Sequence, residues 1–386
     1  MTPRTILTRK TGIRPDTIRI LALTVLALFA GGACDLSRPG DPLPPGDYTP
    51  KPIDHELPIP PGDRDRVRAD ALRRAKVWRP PATPIPAADL AHNPPDTFGT
   101  TDIVPCRFEL KSSDGRTPKF QCIRAGGEVL KVKYGHNNPE TFGEVAATRL
   151  VAALGFGADR MHVVGTVRCF GCPPFPYPKV GIFDALRSDP SRAVDFEMAV
   201  IERRLPGLDI KGGWSWPELS MIDEAAGGAT PAEVDALRLL AVFLNNWDGK
   251  PVNQRLLCTG NGAHAKAPCE EPLAYMQDLG QTFGPKSIDL DGWTRTPVWA
   301  DAATCRVSMR DLPWHGATFE DTSITEPGRL FLAGLLRQLT TAQVRGLFAG
   351  ARFTAFSRNR AGADVDAWTR TFLSRVAQIA DRPPCP

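Results

Sequence analysis

Fifteen of the chain's 38 prolines fall between residues 35 and 100. Proline brings no amide hydrogen and a fixed φ, so a run such as RPGDPLPPGDYTPKPIDHELPIPPGD cannot complete a helix or an interior strand. Composition therefore assigns residues 35–100 to an extended tether. Within it, only DRDRVRADALRRAKVW, residues 63–78, has the makings of a short charged helix. The folded part is then expected over residues 101–386, enough chain for one large or two moderate domains. An apolar fraction of 42% supports a genuine core. A net charge of +4 on 386 residues does not call for a nucleic-acid partner. The six histidines are scattered singly, which argues against a histidine-built metal centre.

The first residues read as an export signal. Arg4, Arg9, Lys10, Arg14 and Arg19 precede the apolar run ILALTVLALFA, and GGAC follows it. A basic start, a short apolar run and small residues at the exit describe a secretory leader rather than a membrane span. The ending at Cys34 resembles the lipobox of bacterial lipoproteins, although Gly31 stands where a leucine is usual. On this reading residues 1–34 are a lipoprotein-type signal peptide. Acylated Cys34 would tie the protein to a membrane, on the periplasmic or cell-surface side. An ordinary cleaved signal or an uncleaved anchor stays open. Setting Cys34 aside leaves eight cysteines, an even number suited to disulfides in an exported chain. Cys169 and Cys172 form a single CxxC, read as a tight structural disulfide in preference to a redox or zinc site.

Beyond residue 101 the apolar pattern changes period. CRFELK (106–111), KFQCIR (119–124) and VLKVKYG (129–135) alternate as strands. The first two are joined by the turn-rich SSDGRTP. A hairpin centred on Asp114 would set Cys106 facing Cys122, within reach of a disulfide. Lys131 and Lys133, two apart on the third strand, share a face. NPETFGEVAATRLVAALGFG predicts a helix over roughly 139–154, stopped at Gly155. Strands at MHVVGTVRC and FEMAVIERRL follow. After Pro206 the pattern is helical: 231–245, then 327–338, 341–350 and 364–381. A β-rich first half and a helical second half predict an α+β, two-lobed molecule, residues 101–205 and 206–386.

This order of elements has a chemistry. A loop between two strands can lay backbone N–H groups over phosphates, and Ser113, Gly115 and Thr117 are its candidates here. A third-strand lysine, Lys133 or Lys131, can reach the α- and β-phosphates of a nucleotide. A helix glutamate, Glu144, can pair with that lysine and hold it. The apolar run LLAVFL then ends in NNWDGKPVNQ, which contains D-x-K-x-x-N. In that spacing Asp248 can accept the proton of an attacking hydroxyl and Lys250 can neutralise the moving phosphoryl group. Asn253 can coordinate a metal. Downstream, the D-L-G of YMQDLGQTFG offers Asp278 as a second ligand. Such hard oxygen donors suit Mg²⁺ or Mn²⁺.

With these motifs the chain resembles the atypical branch of the kinase-like fold. That branch includes HipA-like toxin kinases, phosphoinositide kinases and the secretory-pathway kinases of the Golgi casein kinase type. The resemblance is greatest to bacterial exported proteins sharing KVKYG, EVAATRL, NNWDGKxxNQ and DLG. It covers residues 104–284 well and the helical remainder only by element order. It implies ATP as donor and an exported phosphotransferase acting on a hydroxyl acceptor of unknown class, protein, lipid or sugar. Lys133 would bind phosphates, Glu144 would pair with it, Asp248 would be the base, and Asn253 and Asp278 would hold the metal. There are departures: Asp-Gly-Lys-Pro-Val-Asn stands where these relatives show D-R-H-x-x-N. The first loop has one glycine, Gly115. Asn253 and Asp278 are unusually far apart, and Cys258 and Cys269 lie between them, so a disulfide closing an inserted loop would account for the spacing.

Two other functions fit the same residues: a binding module that keeps the cleft without turnover (a pseudokinase), and transfer of AMP instead of phosphate. Trp214 and Trp216 are either acceptor-site residues or packing between lobes, with packing preferred. Glu202 and Arg203 are hinge candidates. Arg149 either faces solvent or helps to hold a phosphate.

Overall fold

The computed structural model describes residues 42–51, 55–95, 98–111, 115, 117–177, 189, 191–260, 269–309, 312, 319, 321–356, 358 and 363–386. The leader 1–34, with Cys34, and Ser113 of the first loop lie outside the described residues. Among the described residues, no helix is long and apolar enough to cross a membrane.

The protein is a mixed α+β structure built around one large sheet. Its strands are β1 (Ile103–Glu109), β2 (Lys119–Ile123), β3 (Val129–Lys133), β4 (Arg160–Val163), β5 (Thr166–Phe170), β6 (Ala193–Glu197) and β7 (Val200–Arg203). They lie in the order β4-β7-β3-β2-β1-β5-β6. Neighbours are antiparallel except β1 and β5, which run parallel. Two expected strands are each divided in two. MHVVGTVRC breaks at Val164–Gly165 into β4 and β5, and FEMAVIERRL turns at Met198, which has φ +52°. The β1–β2 register also differs from the expectation, because Phe108, not Cys106, lies opposite Cys122. A shift of two residues keeps both cysteines on one face, and the disulfide Cys106–Cys122 forms with its Cα atoms 5.6 Å apart. Cys169–Cys172, Cys258–Cys269 and Cys305–Cys385 are joined as well.

The helix after β3 starts later than periodicity predicts. Asn138 caps a 3₁₀ turn, Pro139–Thr141, and α2 (Gly143–Ala153) follows a break at Phe142. Its predecessor α1 (Arg64–Arg73) is the short charged helix expected inside the proline-rich stretch. A small sheet holds β8 (Leu208–Asp209), β9 (Gln254–Cys258) and β10 (Pro272–Met276), in the order β10-β9-β8. Between β8 and β9 runs α3 (Pro231–Leu244), whose ends are written in the sequence. Thr230 and Glu233 form a reciprocal capping box, Pro231 opens the first turn, and Asn245 closes the helix in the left-handed conformation at φ +56°. The remaining helices are α4 (Leu290–Arg295), α5 (Glu326–Leu336), α6 (Thr341–Gly350) and α7 (Val365–Ala380). A two-stranded ribbon, β11 (Arg306–Val307) and β12 (Thr322–Ser323), precedes α5.

The tether assignment fails over residues 55–95. Leu72, Ala75, Val77, Ile85 and Leu90 lie between the prolines, and all are buried in the same apolar cluster as α2, α3 and α7. Lys76 exchanges backbone hydrogen bonds with the edge of β10, giving its amide to Pro272 and accepting from Ala274. Arg149 holds the segment from the α2 side, donating to the carbonyls of Leu90 and Ala91 and to Asn93 Oδ1. That settles Arg149 as a packing cation rather than a solvent-facing or phosphate-holding one. Proline content reports what a segment cannot hydrogen-bond, not what it can bury, and spaced apolar residues here make an extended chain stick.

Candidate functional site

Lys119, Lys131 and Lys133 face the same side of the large sheet as Glu202. Register sets Lys119 opposite Lys133 and Lys131 opposite Glu202, and residues directly opposite share a face. Lys133 is almost fully buried, at 1% exposure. Its ammonium touches Glu144 Oε2 of α2 and lies 3.1 Å from both Glu140 Oε2 and Glu202 Oε2. Lys131 takes the other oxygen of Glu202 at 2.8 Å. One lysine thus binds three carboxylates, of which the sequence reading anticipated one.

Both missed acids had a signal. Glu140 precedes Glu144 by one helical turn, so the two reach the same side even across the break at Phe142. Glu202, a hinge candidate through its backbone, sits on β7 directly opposite Lys131, and its side chain binds the two lysines. Arg203, the other hinge candidate, pairs with Glu128.

Buried charge sets the electrostatics. Burial opposes the charge on Lys133, but Glu140, Glu144 and Glu202 carry its pKa well above the ordinary lysine value. Burial also opposes ionisation of Glu140, yet Lys133, Lys119 and the Thr117 hydroxyl hold its carboxyl down at about 2. Glu144 moves the other way: burial, with Glu202, Asp278 and Glu140 nearby, outweighs Lys133 and pushes it up to about 8. Asp278 is raised by burial and by Glu140. Glu140, Glu144, Glu202 and Asp278 outnumber the lysines that face them, and the excess is carried as a high carboxyl pKa.

Of the first loop's described residues, Gly115 and Thr117 are both hydrogen-bonded. Thr117 donates its hydroxyl to Glu140 Oε1 at 2.5 Å, and the carbonyl of Gly115 accepts from Tyr177 at 2.5 Å. Gly115 has φ +105°, a backbone state that a side chain would strain.

The D-x-K-x-x-N stretch hangs from the end of α3. Arg375 of α7, fully buried, donates to the carbonyls of Val242 and Phe243 and to Asn245 Oδ1, adding to the Asn245 amide and the Trp293 indole N–H that the same two carbonyls accept at the helix end. Burial pushes the pKa of this arginine down to about 9. Beyond Asn245, Lys250 Nζ lies 2.8 and 2.9 Å from the two oxygens of Asp248. Asn253 closes the loop by donating to the Asp248 carbonyl at 2.7 Å. Antiparallel pairing of β9 with β10 then brings Asn253 to Asp278. The Asn253 carbonyl accepts the amides of Gln277 and Asp278 at 3.0 and 3.2 Å. Cys258–Cys269 closes the connection between the two strands. Val252, in the middle of the loop, is 72% exposed. Trp214 and Trp216 are buried and pack edge to face 5.0 Å apart, which excludes them as acceptor-lining residues.

No family model matches the chain, and no curated protein matches it. Among solved structures, the proinflammatory kinase CtkA of Helicobacter pylori aligns over 71% of this chain and 98% of that one, with 11% identity and a TM-score of 0.36.

The donor set suits a hard cation. Asn253 and Asp278 are backbone neighbours with side-chain oxygens to offer, while Glu140 Oε2 and Glu202 Oε2 are already engaged by Lys133 at 3.1 Å. Among the described residues, no group of three or more His, Cys, Asp or Glu is arranged as a complete metal cage. A site with one or two protein oxygens is completed by phosphate, as Mg²⁺ sites commonly are. A cleft of about 840 Å³ opens beside the cluster. Lys131 and Glu202 form part of its wall, as do residues 203–207, which lead from β7 into β8.

Proposed function

We propose that the protein is a kinase-like, two-lobed phosphotransferase that moves a phosphoryl group from ATP to a hydroxyl acceptor outside the cytoplasm. The observation that carries this reading is the contact of buried Lys133 with Glu144 across β3 and α2. It is the pairing that a nucleotide-phosphate lysine requires. ATP bound with Mg²⁺ or Mn²⁺ would supply the phosphoryl group. Lys133 and Lys131 would hold the phosphates, with the loop of Ser113, Gly115 and Thr117 above them. Asn253 and Asp278 would hold the metal. Asp248 would take the proton of the acceptor hydroxyl, and Lys250 would move from Asp248 toward the transferring group. Four disulfides suit an oxidising compartment, and the leader with Cys34 would place the protein there on a membrane.

The test is direct. The purified protein is titrated with ATP and Mn²⁺, and nucleotide binding and phosphate release are followed. Metal-dependent nucleotide binding that disappears in Asp278→Ala supports the reading; no metal-dependent binding at all removes it. A second reading, binding without turnover, draws on the closed pair Lys250–Asp248 and on the three acids that enclose Lys133. It predicts tight nucleotide binding that Asp248→Ala leaves unchanged. A third, AMP transfer, would add a nucleotide rather than a phosphate mass to the acceptor.

A further inference from the structure

Asp159 lies at the end of the connection from α2 to β4. It is 1% exposed, and none of the roles above uses it. Its carboxylate accepts three hydrogen bonds from three separate parts of the chain. Oδ1 takes the backbone amide of Leu205 at 2.9 Å and the hydroxyl of Tyr275 at 3.0 Å. Oδ2 takes the side-chain amide of Gln277 at 3.1 Å. Leu205 belongs to the stretch from β7 to β8 that walls the cleft. Tyr275 is in β10, and Gln277 directly precedes Asp278. The backbone of Gln277 in turn holds Asn253 at 3.0 Å.

In this arrangement all three partners donate and the carboxylate is the acceptor they share, although burial raises its pKa. Yet among the described residues no cation pairs with Asp159, and Glu202 adds repulsion. A buried acid balanced only by neutral donors is an expensive way to tie chain segments together, and an apolar side chain would pack the space at less cost. What the carboxylate alone provides is direction. It has two oxygens at a fixed separation, one aimed at the cleft wall and one at the residue beside Asp278. The connection carrying it runs flush against Tyr275: a Cβ on Gly157 would stand 2.6 Å from the Tyr275 Cβ.

We propose that Asp159 is a positioning residue. It sets the spacing between the cleft wall at Leu205 and the Asn253–Asp278 pair. It touches neither substrate nor metal and acts through Leu205 and Gln277. The metal and nucleotide part of this inference rests on the phosphotransferase reading; the mechanical link itself does not.

The experiment therefore has two arms. In the first, amide hydrogen exchange is followed in the ligand-free protein for wild type and Asp159→Leu, which keeps the side chain's reach and removes every acceptor. The expected result is exchange accelerated about tenfold or more in residues 204–209 and in residues 274–280 together, with helix α3 unchanged. Acceleration in only one of the two segments, or uniformly across the molecule, overturns the proposal. If Asp159→Leu does not fold, Gln277→Met removes one of the three bonds and must accelerate exchange in 204–209 as well as in 274–280 without unfolding the rest. In the second arm, the affinity for Mn²⁺ with ATP is measured. Asp159→Leu is expected to weaken it about tenfold, and Asp159→Asn, whose amide can donate to Gln277 Oε1 once that side chain turns over, to keep most of the affinity. Unchanged affinity alongside a lowered melting temperature would show a merely structural role. If wild type binds no Mn²⁺ with ATP, the phosphotransferase reading fails, and the exchange arm still decides whether Asp159 couples the two segments.

Discussion

The carbonyl oxygen of Asn253 accepts the amide hydrogen of Asp278 at 3.2 Å. The two residues flank strands β9 and β10, and the hairpin pairing of those strands makes them neighbours. The proposed metal pair is therefore a property of strand register. A shift of one residue in that pairing would turn the side chains to opposite faces.

Lys133 is the only lysine within ion-pair distance of Glu144 among the described residues. Lys133→Met leaves Glu140, Glu144 and Glu202 buried with their shared cation gone. Removing one partner of a buried pair typically costs about 3–5 kcal/mol. A loss in that range is expected by chemical denaturation. Glu144→Gln should cost less, because the cluster already carries more acid than base.

Stability should also fall as pH rises from acid through neutral. The carboxyl of Glu144 is pushed up to about 8 in the folded protein, above its unfolded value. A group shifted in this direction contributes stability that is fully present below the unfolded pKa and is lost as pH rises through the folded one. The melting temperature is expected to drop between about pH 4.5 and about pH 8 and then level off, and Glu144→Gln to flatten that drop. Glu140 has the opposite sign. Held down at about 2, it contributes stability that is lost only as pH falls toward that value.

A divalent cation at Asn253 and Asp278 would favour the ionised form of the raised acids around it. Binding of Mn²⁺ with nucleotide near neutral pH should release protons, measurable by calorimetry in buffers of different ionisation enthalpy. Asp278→Asn should abolish both the binding heat and the release.

The disulfides should differ in worth. Cys305–Cys385 spans a separation of 80 residues and Cys258–Cys269 one of 11. Loop-closure entropy then predicts losses of about 4–5 and about 3 kcal/mol on replacement by serine pairs. Denaturant titration of the two double variants gives the order.

Arg375→Met is expected to cost about 1–3 kcal/mol, because it removes a donor from the carbonyls of Val242, Phe243, Trp293 and Thr296, the first two of which keep the Asn245 amide and the Trp293 indole N–H. If D-x-K-x-x-N is the catalytic loop, its binding partners should weaken as well, since the loop starts where those carbonyls end.

Much of this molecule is local and therefore legible in the sequence. The capping box at Thr230, the left-handed stop at Asn245 and the spacing of Lys131 and Lys133 depend on near neighbours alone. So does the position of Glu144 in the first turn of its helix. The tertiary structure decided what lies far apart in the chain. Lys133 gained Glu202 through the pairing of β3 with β7 and Glu140 through a break ahead of α2. Residues 55–95 became part of the core because their spaced apolar side chains found surfaces that composition cannot show. Periodicity records which face of an element is apolar. Which acid meets which base is set by sheet order and helix docking, and those are fixed only when the whole chain has packed.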